Sequence, residues 1–242
     1  MITQDFNQWI PFLATVADIN DPKMLGRCRL RVINHDETVS TEHLEWATPI
    51  IPNSASKQGT GTSPTFLEVG SMVVGFYLDG STRSLPLILG SFAKIPGGDV
   101  SKHDIHERAR GINSLKLTQA GPEPTIDFGA KYPYNKVFST HSGHVIELDD
   151  TPGAERINLL HKSGSYVQIN NTGQVVIKSV NDQYTITQGK QTIYSAKDMT
   201  LKTDGKMNIN VAGTFDLNVK GNVKLTSSSL ITFSAPVVNL QG

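Results

Sequence analysis

The sequence predicts an all-β chain, with an N-terminal OB-fold barrel followed by a C-terminal intertwined trimeric β-helix. Three observations lead there. Short apolar-alternating runs parted by turn residues fill the first 95 residues. From about Gly189 onward a marker recurs every eight residues, with apolar and polar side chains alternating between markers. Almost nothing in the chain repeats at the 3.6-residue period of a helix, while Thr, Ser, Asn, Gly and Val are abundant in the second half, as strands and turns require.

Residues 1–95 read as the barrel domain. Phe12–Ile19 is a first strand, closed by the turn chemistry of Asn20-Asp21-Pro22. Arg27–Ile33 alternates basic with apolar residues and makes a second. Trp46–Ile51 is a third, ended by Pro52. Residues 53–64 form a long Gly/Ser/Thr loop. Gly70-Ser71 then leads into Met72–Leu78, Asp79-Gly80 marks a turn, and Leu85–Phe92 is the last strand. Five strands with one long loop suit a small Greek-key barrel of the OB type. Such barrels often bind single-stranded nucleic acid through cations interleaved with aromatics. Arg27, Arg29 and Arg31 supply cations without interleaved aromatics, so no nucleic-acid partner is expected.

Residues 96–138 read as an extended connector. It holds Gly97-Gly98, a charged stretch from Lys102 to Arg110, Pro122, Pro124 and Tyr132-Pro133-Tyr134. Ser101–Arg110 is a candidate short helix, with Ser101 as its N-cap. Residues 139–242 then read as a β-meander running into a needle. Turns at Ser142-Gly143, Asp150–Gly153, Ser163-Gly164 and Asn170–Gly173 punctuate four strand runs, Val145–Leu148, Ile157–Leu160, Tyr166–Ile169 and Val175–Ile177.

The needle carries the strongest pattern. Gly189, Gly205, Gly213 and Gly221 are the octad markers, and Lys197, Ser229 and Val237 fill the remaining steps. Odd positions between them are mostly apolar, among them Met207, Ile209, Val211, Phe215, Leu217, Val219, Val223, Leu225, Ile231 and Phe233. Even positions such as Lys206, Asn208, Asn210, Asp216, Asn218 and Lys224 are polar. Period-two alternation puts one side chain in and the next out, and its phase survives each marker. A straight strand of this length would far exceed the usual 3–10 residues, so the chain must bend, and glycine permits it. Hairpin turns are scarce after Gly189, so one chain cannot close around this face by itself. Three identical chains winding about one axis can, each supplying a wall of a prism. A single-chain β-solenoid or sandwich is the alternative, though solenoid coils are usually longer than eight residues. Tyr184 and Ile186 fall out of phase, which would turn Gln183, Thr185 and Thr187 inward as a polar layer.

Composition narrows the function classes. The formal net charge is zero, with 22 basic and 22 acidic residues, and no basic stripe stands out. Cys28 is the sole cysteine; it cannot form an intrachain disulfide and reads as a small buried hydrophobe. With neither a charged-plus-apolar N-terminal segment nor a long apolar run, the chain is expected to be made in a cytoplasm, without a cleavable signal or a membrane span.

No catalytic, cofactor or metal constellation is expected. His103 and His106, and likewise His141 and His144, are spaced as zinc ligands can be, but further ligands are missing. Glu147, Asp149 and Asp150 group as acid–base carboxylates do. Their alternation before Thr-Pro-Gly reads instead as a solvated turn, with Arg156 or Lys162 pairing between chains. Ser142-Gly143 and Ser163-Gly164 are hairpin turns, lacking the strand-to-helix setting of a nucleophile elbow. Neither a Walker loop nor a dinucleotide fingerprint occurs.

Several stretches resemble the central spike proteins of contractile-tailed bacteriophages, relatives of the VgrG spikes of type VI secretion. Asp18-Ile-Asn-Asp-Pro-Lys-Met-Leu-Gly26-Arg-Cys-Arg-Leu-Arg-Val32 is similar to the family's D-P-x-x-x-G-R-x-R-V-R-V strand pair. Gly70–Gly80 and Leu87-Ile-Leu-Gly-Ser91 look like its closing strands. Ser142–Arg156 with His161-Lys-Ser-Gly164 is the most specific match, and the octads complete it. The resemblance implies a non-enzymatic homotrimer in the virion's tail baseplate, driven through the host outer envelope on contraction. It also implies a separate hub protein on the barrel side and a PAAR-like protein at the tip. Some members insert a lysozyme domain between barrel and needle; the connector here is too short for one. Some members hold iron through an apical His-x-His; this sequence has no histidine after His161. The alternatives are a VgrG-like spike of another contractile injection system, or a monomeric β-solenoid enzyme degrading polysaccharide.

Overall fold

Alternation in the first expected strand works out as an inward row of Phe12, Ala14 and Val16, all buried. The computed structural model describes residues 9–51, 65–92, 124 and 128–238. The expected loop over 53–64, the Ser101–Arg110 helix, most of the 96–138 connector and the His103/His106 pair lie outside these residues.

Five strands close the barrel: β1 (Ile10–Asp18), β2 (Cys28–Val32), β3 (Trp46–Pro49), β4 (Met72–Tyr77) and β5 (Pro86–Phe92), in the order β1-β2-β3-β5-β4. Pairing is antiparallel except between β3 and β5, where Thr48 faces Leu87 and Pro49 faces Ile88 in parallel register. Every second residue points inward, so Phe12, Val16, Cys28, Leu30, Ala47, Val73, Tyr77 and Ile88 form one core. Burial pushes the Cys28 thiol up to about 11, with the Asp21 and Asp18 charges adding to the effect, so the thiol is poorly reactive near neutral pH.

Gly75 in β4 shows how tightly the barrel closes. A Cβ there would stand 2.0 Å from the Leu87 carbonyl oxygen and 2.6 Å from the Phe12 ring. Neither neighbour can yield, since one is ladder backbone and the other fills the core. Gly75→Ala is therefore expected to destabilise the barrel at the upper end of roughly 1–3 kcal/mol for overpacked sites. A denaturant titration followed through Trp9 and Trp46 fluorescence checks this; an unchanged midpoint would contradict the packing.

A second sheet is a five-stranded antiparallel meander, ordered β10-β9-β8-β7-β6. Its strands are β6 (Asn135–Ser139), β7 (Val145–Asp149), β8 (Arg156–Leu160), β9 (Tyr166–Ile169) and β10 (Val175–Lys178). β6 is an addition to the expected four, and it occupies the last four residues of the stretch expected as connector. It escaped the sequence pattern because its inward row, Asn135, Val137 and Ser139, is mostly polar. Three of the hairpins share one turn. The Gly143, Gly164 and Gly173 N–H groups donate to the carbonyls of Thr140, His161 and Asn170, and all three glycines have positive φ.

The faces of this sheet are inverted relative to a lone soluble domain. One face buries Asn135, Glu147, Asp149, Arg156, Asn158 and Gln168 together with Val145, Leu160 and Tyr166. The other exposes Phe138 of β6, Ile146 and Leu148 of β7, Ile157 and Leu159 of β8, Val167 and Ile169 of β9, and Val175 and Ile177 of β10. The chain divides into two units at Tyr184/Thr185.

Candidate functional site

Glycine and its substitutes every eighth residue demand a bend, and the chain bends there. Turns of direction fall at 180–181, 188–189, 196–197, 204–205, 212–213, 220–221, 228–229 and 236, eight residues apart throughout. The markers Gly189, Gly205, Gly213 and Gly221 lie at these bends, and a Cβ on any of them meets nothing within 4 Å. Among the described residues none from 179 to 238 joins a strand of either sheet. Every one of these residues is exposed in the single chain. That includes all ten residues expected to line the needle interior: Met207, Ile209, Val211, Phe215, Leu217, Val219, Val223, Leu225, Ile231 and Phe233. Large apolar side chains thus stand exposed at alternate positions along a backbone that joins neither sheet.

Nearer the barrel, the polar groups mainly serve the fold. Asp21 organises the β1–β2 loop: its carboxylate accepts the N–H groups of Lys23, Leu25 and Arg27 at 2.9–3.2 Å. Arg27 binds it through two nitrogens, at 3.1 and 2.6 Å. The Arg27 guanidinium, then these backbone N–H donors, hold the Asp21 carboxyl far below its ordinary range, although desolvation opposes them. Arg29 donates to the carbonyls of Thr41, Glu42 and Leu44, and Arg31 to those of Asp36 and Val39. Trp46 lies under both Arg27 and Arg29, at 5.3 and 4.7 Å from their guanidinium carbons. The basic alternation of β2 thus staples two loops, which leaves these guanidiniums little freedom to track a phosphate backbone.

At the barrel mouth a cleft of about 490 Å³ is lined by Leu30, Leu44, Tyr77, His35, His43 and Arg83, among others. Three of its titratable side chains are tied into local structure: Asp36 accepts the Val32 N–H and faces His35 at 2.6 Å, while Ser40 faces His43 at 2.9 Å.

Two expectations about the meander need correction. Glu147 and Asp149 are buried strand residues, and Arg156 of the same chain neutralises them, at 3.1 Å from Glu147 Oε1 and 3.5 Å from Asp149 Oδ2. Asn135 and Asn158 donate to the two Glu147 oxygens, and the Phe128 ring lies 4.8 Å from the Arg156 guanidinium carbon. The solvated-turn reading holds only for Asp150, which pairs with Lys136 at the surface. The histidines also pair differently from their sequence spacing. His144 lies beside His161, with ring centroids 4.5 Å apart, while His141 reaches Glu68 at 3.3 Å. His161 Nδ1 accepts the Ser163 N–H at 3.1 Å, a turn role that turns this nitrogen away from a metal. Among the described residues there is no group of three or more His, Cys, Asp or Glu that could hold a metal ion.

The comparisons with known proteins bear on the barrel first. Residues 28–105 match the family of the Gp5 N-terminal OB domain. Protein Gp5 of Vibrio phage KVP40 is 35% identical over 101 residues, covering 42% of this chain and 22% of that protein. The pre-baseplate central spike protein Gp5 of Enterobacteria phage T4 is 36% identical over 83 residues, covering 34% of this chain and 14% of that protein. The aligned stretches thus span less than a quarter of each relative. With its closed five-stranded topology and its matched sequence, the N-terminal barrel is a Gp5-type OB domain, and the chain that carries it is a relative of phage baseplate central spike proteins.

Proposed function

We propose that this chain is a structural spike of a phage tail baseplate, acting as a homotrimer that is driven through the host outer envelope when the tail contracts. The observation that carries the reading is the eight-residue succession of bends from 180 to 236, along which apolar and polar side chains alternate and all stand exposed. Wound with two sister chains, the same stretch pairs its backbone between chains and turns Met207, Ile209, Val211, Phe215 and their successors onto a common axis. Each aliphatic side chain so buried contributes roughly 1.5–3 kcal/mol before entropy. The result is a stiff rod without free sheet edges, and stiffness is what piercing requires. The polar even-numbered row, Lys206, Asn208, Asn210, Asp216 and Asn218, clothes the rod. A separate hub protein holds the barrel side, and a PAAR-like protein caps the tip. The spike works by mechanics, without bond cleavage.

Light scattering after size exclusion tests the reading on the full chain. The expected mass is three chains, persisting under dilution because such a needle has no folded single-chain form. A single-chain mass would overturn it, as would release of reducing sugar from envelope polysaccharide by the purified protein.

A further inference from the structure

We propose that charge ladders on the outer row of the octads set the register in which sister chains wind together, Asp and Lys side chains pairing with the opposite charge eight residues further on in a neighbouring copy. This rests on the trimer reading above and adds what selects one winding among several. The bends recur every eight residues, so in a threefold prism each chain crosses one wall per octad and passes to the next wall at each bend. The wall it leaves is taken over, one level up, by a neighbour. Directly above residue i of one copy therefore lies residue i+8 of another, one strand spacing or ~4.8 Å away. Within a single chain the same two residues look out from different walls.

Ten charged side chains lie between 179 and 238, all exposed in the single chain. Four pairs of them fall eight apart: Asp182 with Lys190, Lys190 with Asp198, Asp198 with Lys206, and Asp216 with Lys224. Every pair joins opposite charges. Other registers lose this. With no offset, each charge meets its own copy. With an offset of sixteen, Asp182 meets Asp198 and Lys190 meets Lys206, against a single opposite pair, Asp204 with Lys220. Opposite charges side by side on neighbouring strands stabilise, and like charges destabilise. The apolar row cannot make this choice. Ile209, Leu217 and Leu225 share one phase, and Val211 and Val219 another. A slip by a whole octad therefore keeps them inside and packs them almost as well, which leaves the register to the charges.

The test uses the full chain and the pair Asp216 and Lys224, which stand between uncharged Asn208 and Thr232 in their row. Mass and melting are followed for Asp216→Lys, Lys224→Asp and the double exchange. Expected is a three-chain mass for the unaltered chain and a melting midpoint lowered by about 3 °C or more in each single variant at low salt. The double exchange should recover to within about 1 °C, since the two sites are coupled. The losses should shrink near 1 M salt, where charges are screened beyond ~3 Å. Asp216→Cys combined with Lys224→Cys locates the neighbour. A short bifunctional maleimide should join three chains into a covalent ring, with little background from buried Cys28. Additive losses without recovery, in a three-chain particle, would overturn the ladder and leave the needle standing. Links closed within one chain, or none, would overturn it too. If a single variant fails to assemble, the double exchange decides: its assembly supports the ladder and its failure overturns it. A single-chain mass for the unaltered chain would remove the trimer reading and this inference with it.

Discussion

Val211→Asp is expected to purify as single chains. In the proposed needle, position 211 of each copy faces the axis, so the change places three carboxylates within contact distance in an apolar, water-poor interior. Each loses the burial of a valine, worth roughly 1.5–3 kcal/mol. Each must also be desolvated without a cation, which costs several kcal/mol per ion even after relaxation. Tripled by symmetry, the penalty exceeds the 5–15 kcal/mol that stabilises a typical native protein. Asn210→Asp supplies the contrast. It adds the same charge one position away, on the solvent row, and should change stability by no more than about 0.5 kcal/mol. Light scattering and melting of the two variants decide the matter. A Val211→Asp particle with three-chain mass and unchanged melting would place Val211 outside the core and reverse the inward row.

How much of this was legible follows from what alternation can and cannot say. Period two locates a strand and divides its residues into two rows, and it did so for all five barrel strands to within a few residues. The parallel pairing of β3 with β5 left no trace, because it depends on chain closure rather than on either strand's own sequence. The octad bends were readable since glycine marks them directly. Alternation does not say which row meets solvent, and the meander was misread for that reason. Glu147 and Asp149 carry the residue types of an outward row, yet Glu147 is 0% exposed, while Ile146 and Leu148, the types of a core, stand exposed. Three charges can be inside only because Arg156 lies between two carboxylates, a pairing across strands that adjacency in sequence does not reveal. The partners of Arg27, Arg29 and Arg31 were hidden for a similar reason. Alternation places them on one row of the strand, but it does not reveal that Asp21 and five backbone carbonyls take them up.

Arg156→Ala tests that buried group, and it should unfold the meander's polar face rather than merely loosen it. The Arg156 side chain is 2% exposed and those of Glu147 and Asp149 are 0%. Removing the guanidinium leaves two carboxylates on neighbouring strand positions without their cation, the situation that costs roughly 3–5 kcal/mol. Asn135, Asn158 and the Thr151 N–H still donate to the carboxylates, but these are dipoles and cannot cancel two charges. Glu147→Gln alone should cost less, since Asp149 stays paired and the amide oxygen can still accept the Asn135 and Arg156 hydrogens. The combination Glu147→Gln with Arg156→Ala separates charge from shape. If the lost Glu147–Arg156 attraction dominates, the double variant is more stable than Arg156→Ala by about 1 kcal/mol or more. Additive losses would instead assign the Arg156 effect to packing against Phe128. Chemical denaturation of the three variants, read at matched protein concentration, distinguishes the two.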